Sequence, residues 1–110
     1  MNSFDLGAWY VFHPSHQRPD KWQALKVLEE SAEVVEAAKR AVRHDMCAAD
    51  RTAHAKLTSE VADLLQTVVN LCDAYDISEA ELTVAQVECN RKNLDRGMFT
   101  AGPRTHMHRD

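Results

Sequence analysis

The sequence predicts an all-α fold, an antiparallel helical bundle, and three observations support this prediction. Two long segments carry apolar residues at alternating spacings of three and four, which is the pattern of an amphipathic helix that packs on a neighbour. Ser78 and Glu81 have the spacing of a capping box, which marks the start of a third helix. Gly97 follows that helix and is a residue type that commonly ends one.

The helix boundaries follow from these signals. The first helix is predicted from residues 19–21 to Arg43, with Asp20 as its N-cap, and the second from Asp50 to Tyr75. The third is predicted from Ser78 to about Arg96. Each helix has a predicted inward stripe: Leu25, Leu28, Ala32, Val35, Ala38 and Val42 on the first; Leu57, Val61, Leu64, Leu65, Val68, Leu71 and Cys72 on the second; and Leu82, Ala85 and Cys89, or Val84, Val87 and Leu94, on the third.

The 110 residues are the length of one ordinary domain, which we divide into three parts. Residues 1–20 are irregular because glycine and proline interrupt them, residues 21–99 form the helical domain, and residues 100–110 form a flexible tail. The aromatic side chains of the first part either pack on the helices as a lid or flank a substrate ring, as Trp9 and Tyr10 are placed to do.

Composition excludes several classes of function. The net charge is −4 and no basic arm is present, so a nucleic-acid partner is not expected. No apolar run approaches the roughly 20 residues of a membrane span, and no signal-peptide pattern begins the chain. The three cysteines occur singly, as reduced thiols of an intracellular protein do, which favours a cytoplasmic location.

Four acids stand out from the helical pattern, Glu30 with Glu33 and Glu60 with Asp63. The two members of each pair are three residues apart, so they share a helix face and can bind one cation. The pairs lie at equal distances from residues 46–47, and antiparallel helices that turn there would bring them to the same height. Four converging carboxylates repel one another unless a cation lies between them. The first pair alone fits ordinary surface charge better, but the two together predict a hard-metal site.

These acids resemble the EExxE…ExxD signature of the MazG-like all-α nucleotide pyrophosphohydrolases. The matching segments read EESAE at residues 29–33 and EVAD at residues 60–63. Lys26 precedes the acids, and a Leu-Leu pair follows them, as in the family's wording.

A second match lies near the end of the third helix. Residues 90–97 read NRKNLDRG and resemble the family's closing N-x-K and N-x-x-R-G elements. The whole resemblance spans roughly residues 21–99. Cys89 stands where many members carry a lysine, and Lys92 is the expected substitute for that phosphate contact.

The resemblance implies an enzyme that hydrolyses a nucleoside triphosphate to its monophosphate and pyrophosphate. It implies Mg²⁺ as the cofactor, with Mn²⁺ as a substitute, and a homodimer or homotetramer with sites near the interface. The implied metal ligands are Glu30, Glu33, Glu60 and Asp63, and either Glu30 or Glu33 would also orient the attacking water. The implied substrate-binding residues are Lys26, Lys92, Asn93 and Arg96.

Three alternatives remain beside this interpretation. Phosphoribosyl-ATP pyrophosphohydrolases have similar acidic motifs, although the late N-x-x-R-G element favours the MazG-like side. A di-iron carboxylate bundle would need a histidine three residues after one acid of each pair, and neither pair has one. A non-catalytic helical interaction module, in which the acids are only solvated, would gain no stability from Mg²⁺.

Overall fold

The computed structural model describes residues 3–42 and 48–100, and the regular secondary structure of these residues is entirely helical, with no strand among them. Its three α-helices are α1 at Lys21–Ala41, α2 at Ala48–Ala74 and α3 at Glu79–Asp95. Across the described residues, no helix is both long enough and apolar enough to cross a membrane. The all-α prediction is confirmed. The predicted turn at residues 46–47 and the predicted tail from residue 101 onward lie outside the described part of the chain.

The predicted starts of α1 and α3 are formed by side chains that accept hydrogen bonds from the free N–H groups of the first turn. The Asp20 carboxylate accepts hydrogen bonds from the backbone N–H groups of Trp22 and Gln23 at the start of α1. The Ser78 hydroxyl accepts from the Glu81 N–H, and the Glu81 carboxylate accepts from the Ser78 N–H, which completes the capping box of α3. These contacts confirm the N-cap predictions.

The ends of α2 and α3 share one backbone motif. After α3, Gly97 takes a left-handed φ of 73°, and the Met98 N–H donates back to the Asn93 carbonyl. After α2, Asp76 takes a φ of 57°, and the Ile77 N–H donates to the Cys72 carbonyl. The left-handed residue lets the chain turn back and satisfy carbonyls that the helix leaves free. Gly97 therefore ends α3 as predicted.

The chain packs as two units. The hairpin unit comprises residues 8–77 and contains α1 and α2. The α3 unit comprises the described residues 3–7 and 78–100. The sequence-based division at residues 20 and 99 stays a prediction.

Within the hairpin unit, α1 and α2 are antiparallel, because the Tyr75 hydroxyl beyond the end of α2 donates to the Asp20 carbonyl at the start of α1. Buried and half-buried positions recur along both helices at alternating spacings of four and three, which is the spacing of a two-helix seam. We call this set the α1–α2 seam. It comprises Gln23, Val27, Glu30, Val34, Ala37 and Ala41 on α1 and Ala53, Leu57, Glu60, Leu64, Thr67, Leu71 and Ala74 on α2.

The seam corrects the predicted inward stripe of α1. Leu28, Val35 and Val42 are more than half exposed, and Leu25 is exposed as well. That stripe lies on the side of α1 away from the seam, because α1 has two sets of positions at the same spacing and the less apolar set faces α2. Among the described residues, Ala37 is the only hydrophobic residue that is fully buried.

The structure agrees in part with the predicted inward stripe of α2 and with neither predicted stripe of α3. On α2, Leu57, Leu64 and Leu71 lie in the seam as expected, whereas Val61 and Val68 are exposed. On α3, the residues of both proposed stripes are exposed, namely Leu82, Val84, Ala85, Val87, Cys89 and Leu94.

The N-terminal part of the hairpin unit, residues 8–20, forms a strap along α2. Gln66 donates its amide to the Tyr10 carbonyl at 2.7 Å, and the Asn70 side-chain oxygen accepts from the Phe12 N–H at 3.0 Å. Tyr10 is 89% exposed and Phe12 about half exposed, whereas Trp9 is half-buried, so these hydrogen bonds hold the strap together with the packing of one aromatic ring. The lid prediction therefore agrees with the position of the strap and of Trp9, whereas Tyr10 and Phe12 stay exposed.

We expect Asp20→Ala to lower the free energy of unfolding by about 1 kcal/mol, because two N–H groups at the start of α1 would lose their acceptor. Urea denaturation followed by circular dichroism measures the change. Asp20→Asn is the matched control, since asparagine caps a helix about as well as aspartate. Equal losses in the two variants would contradict the capping role.

Candidate metal centre

Three of the four predicted acids meet across the α1–α2 seam. One carboxylate oxygen each from Glu30, Glu60 and Asp63 lies within 4.8 Å of the other two. We call these residues the acidic cluster. Glu30 comes from α1, and Glu60 and Asp63 come from consecutive turns of α2, so the antiparallel packing alone brings them together.

The cluster varies in exposure from one member to the next. Glu60 is 5% exposed, Glu30 is half-buried and Asp63 is exposed. Burial raises the pKa of Glu30 above its ordinary value, and the negative charges of Glu33 and Asp63 raise this pKa further. A carboxylate in this setting is stabilised by an added cation. Oxygen donors from three carboxylates are the ligand type that Mg²⁺ prefers, so the residues present fit this ion.

Lys56 supplies positive charge to the buried acid. Its ammonium nitrogen lies 2.9 Å from Oε2 of Glu60, one helical turn away, while 63% of the lysine side chain remains exposed. The hydrogen bond with Glu60 raises the pKa of Lys56, and the charge of the same carboxylate adds to this effect.

Glu33 does not join the acidic cluster. Its side chain is exposed and lines a groove of about 310 Å³ that also contains Glu60 and Lys56. We call this depression the Lys56 groove, and Glu36 and Arg40 complete its charged lining. Glu33 is thus close enough to act on the pKa of Glu30 but is not a member of the three-carboxylate set.

A second cavity, of about 350 Å³, opens beside the acidic cluster between the strap and the two helices. We call it the strap cavity. Glu30, Asp63 and Lys26 line one side, which places the predicted substrate-binding lysine next to two of the acids. Phe12 and His16 line another side, with their ring centroids 6.4 Å apart in an edge-to-face arrangement.

The remaining wall of the strap cavity is rich in carboxamides. Gln23 is 8% exposed and presents its carboxamide in the lining of the cavity. Asn70 is 4% exposed, and its Oδ1 accepts from the Phe12 N–H and the Gln66 amide, which leaves its amide nitrogen as a donor. Gln17 has a buried Oε1 without a hydrogen-bond partner. The cavity therefore has unused hydrogen-bonding capacity beside the acids.

The other predicted substrate-binding residues belong to α3. Asn93 accepts a hydrogen bond from Arg96 and donates one to the Cys89 sulfur at 3.6 Å. Lys92 lies on the same helix and is exposed. These residues lie in the α3 unit and are not among the described residues that line the strap cavity. Their role toward a phosphate stays a prediction.

The sequence patterns did not predict Gln23 as a residue of the site, or the ion pair between Lys56 and Glu60. Gln23 occupies a seam position seven residues before Glu30, and Asn70 lies seven residues after Asp63. A polar residue seven positions from a site acid lies on the same face of the helix. This spacing was therefore a signal in the sequence that could have identified both carboxamides. The contact of Lys56 with Glu60 follows from their spacing of four on α2.

No protein-family model, curated protein or solved structure matches this chain. The geometry of the site therefore carries the functional argument.

We expect Glu30→Gln to stabilise the metal-free protein at neutral pH. Because the pKa of Glu30 is raised in the folded state, its ionisation costs the fold free energy. The cost is absent below the ordinary pKa of 4.5 and grows as the pH rises through the raised folded value. The stability advantage of the variant over the wild type should therefore increase with pH.

Urea denaturation with a chelator, repeated between about pH 4 and about pH 8, measures this difference. Glu29→Gln is the control, because it removes the same charge from an exposed neighbouring position on α1. It should follow the wild type within about 0.5 kcal/mol. A pH-independent difference between Glu30→Gln and the wild type would contradict the interpretation.

Proposed function

We propose that this chain is a Mg²⁺-dependent nucleoside triphosphate pyrophosphohydrolase. The observation that carries the proposal is the acidic cluster opening on a polar cavity that also contains Lys26. Carboxylates that hold a divalent cation next to a free lysine form a site for a polyphosphate, since the substrate's oxygens bind metal and ammonium together. The match of residues 29–33 and 60–63 to the MazG-like signature supports the same reaction.

Each residue has a defined task in the proposed reaction. Glu30, Glu60 and Asp63 would hold the ion, which would neutralise phosphate oxygens and lower the pKa of a bound water. Glu33 stands outside this set, so its carboxylate is free to accept the proton of the attacking water. Glu30 is the alternative base, and in that case Glu33 would be a fourth ligand.

The reaction breaks the anhydride bond between the α and β phosphates. One water adds its oxygen to phosphorus, the bridging oxygen leaves with pyrophosphate, and the general base takes the proton of the water. Lys26 would donate to the phosphates within the strap cavity. Lys92, Asn93 and Arg96 would neutralise and bind the leaving pyrophosphate or the sugar, as the family resemblance implies.

The nucleoside would occupy the strap cavity. Gln23 and Asn70 offer hydrogen-bonding groups to a base or sugar, and Phe12 and His16 offer aromatic surface. Phosphoribosyl-ATP is a second candidate substrate, because it carries the same triphosphate and adenine groups and the acidic motifs of its hydrolases are similar.

The reduced thiols of Cys72 and Cys89 support a cytoplasmic location.

The test is pyrophosphate release from ribo- and deoxyribonucleoside triphosphates and phosphoribosyl-ATP, with and without Mg²⁺. Asp63→Asn should reduce Mg²⁺-dependent turnover by about 100-fold or more, because a metal ligand contributes several kcal/mol to transition-state stabilisation. Glu33→Gln should reduce turnover to a similar extent while leaving Mg²⁺ affinity closer to that of the wild type. Both variants should keep the helical circular dichroism spectrum.

Glu29→Gln serves as the control for both variants, because Glu29 is exposed and outside the acidic cluster. Wild-type turnover in Asp63→Asn would overturn the metal site. Release from phosphoribosyl-ATP alone would assign the second substrate. No turnover and no stabilisation by Mg²⁺ would leave a non-catalytic helical module.

We further propose that a second copy covers the outer apolar stripe of α1, giving a homodimer or a pair of dimers. A single chain fully buries only Ala37 among its described hydrophobic residues, while Leu28, Val35 and Val42 stay exposed at packing spacing. Val61 and Val68 extend the exposed apolar surface on α2. Pairing of such stripes completes a four-helix arrangement.

We expect Val35→Lys to shift the oligomer toward monomer, because a charge would be buried at the proposed interface. Size-exclusion chromatography with light scattering measures the mass over a dilution series. Ala55→Lys is the matched control, since Ala55 is an exposed α2 residue outside the apolar stripe. A wild-type chain that is monomeric at all concentrations would contradict the proposal.

A further inference from the structure

The Lys56–Glu60 ion pair joins a buried acid to an exposed base. The Glu60 side chain is 7% exposed, and the Lys56 ammonium lies 2.9 Å from its Oε2. Within residues 3–42 and 48–100, Lys56 is the one basic side chain in ion-pair contact with the acidic cluster. The same Glu60 lies within 4.8 Å of the carboxylate oxygens of Glu30 and Asp63.

A buried carboxylate among other carboxylates needs a positive charge in contact with it. Removing one partner from such a pair leaves an uncompensated buried charge, which destabilises the fold strongly. A divalent ion held by the acidic cluster would supply the same compensation. Two cations at one carboxylate repel each other, so the metal and the ammonium compete for Glu60.

We propose that Lys56 is an internal counter-cation that occupies Glu60 until a divalent cation binds and then moves away into the Lys56 groove. The inference rests on the proposed metal site. Lys56 can make this movement because its side chain is largely exposed and carries a flexible four-carbon stem. Arg40 and Glu36 line the groove that would receive the ammonium, and Glu36, whose Oε2 lies 3.1 Å from the Lys39 ammonium, can accept a second ammonium there.

Lys56 thereby acts as a positioning residue rather than a catalytic one. It keeps the metal-free seam folded, and it sets the Mg²⁺ concentration at which the site fills, because every binding event must first displace it. Lys26 differs from Lys56 in this respect. It lines the strap cavity beside Glu30 and Asp63 but forms no ion pair with them among the described residues.

The experiment follows thermal unfolding of the wild type and Lys56→Met across a MgCl₂ titration, with isothermal titration calorimetry for Mg²⁺ affinity. NaCl at matched ionic strength removes the effect of screening. The variant should have a lower Tm than the wild type in chelator and a Tm close to that of the wild type at saturating Mg²⁺. Its half-saturating Mg²⁺ concentration should be lower by about tenfold, which is typical of coupling between groups in contact.

Lys21→Met is the matched control, because Lys21 is an exposed lysine at the start of α1 that belongs to neither the acidic cluster nor the lining of the Lys56 groove. Its Mg²⁺ titration should match that of the wild type. Lys56→Arg should restore both the Tm in chelator and the wild-type half-saturation. If Lys56→Met does not fold without metal, Lys56→Gln is titrated instead, with the same expected direction.

Two outcomes separate the two proposals. A wild type whose Tm does not respond to Mg²⁺ overturns the metal site and with it the proposed function. A wild type that is stabilised by Mg²⁺, together with a Lys56→Met variant of equal or weaker Mg²⁺ affinity, overturns the role of Lys56 and leaves the proposed function standing.

Discussion

The burial of carboxylates between two helices is the constraint on which the rest of the hairpin unit depends. Glu30 and Glu60 occupy positions that leucine or alanine would fill in an ordinary seam. Charge at these positions must be compensated by a positive group in contact with it. Lys56 compensates one acid directly, and Asp63 extends the cluster toward solvent. The seam has less apolar contact at this height, and Ala37, about two turns after Glu30, is the buried apolar residue of α1.

Local signals in the sequence were sufficient to predict the helices. Asp20, Ser78 and Gly97 act within one turn of their own positions, so their residue types decide where helices begin and end. The face of α1 that meets α2 was not predictable in this way. Two stripes share the same spacing, and the more apolar one, which contains Val35, was the natural choice. The less apolar stripe faces α2 instead, and this stripe contains Glu30.

The candidate site, like the fold, was predictable only where spacing along the helices decides the geometry. The spacing of the acids and their equal distances from residues 46–47 correctly predicted that Glu30, Glu60 and Asp63 lie together. An antiparallel helix pair fixes the relative height of such residues. The outward position of Glu33 required knowledge of the seam's rotation about the helix axis. The strap cavity could not be predicted, because its wall is made by bonds between residues far apart in sequence, such as the Phe12 N–H and Asn70.

The strap has a consequence for how the hairpin unit opens. Its bonds to Gln66 and Asn70 join segments more than fifty residues apart, so they can form only after α1 and α2 have come together. They are also few, and the bond from Gln66 is exposed, whereas the seam is continuous along both helices. The strap should therefore detach as a separate cooperative segment while the helices stay paired. In a hydrogen-exchange experiment, the Phe12 amide would exchange by this local opening, well before the amides in the middle of α2. The same opening would give a molecule the size of a nucleotide a way into and out of the cavity without separation of the two helices.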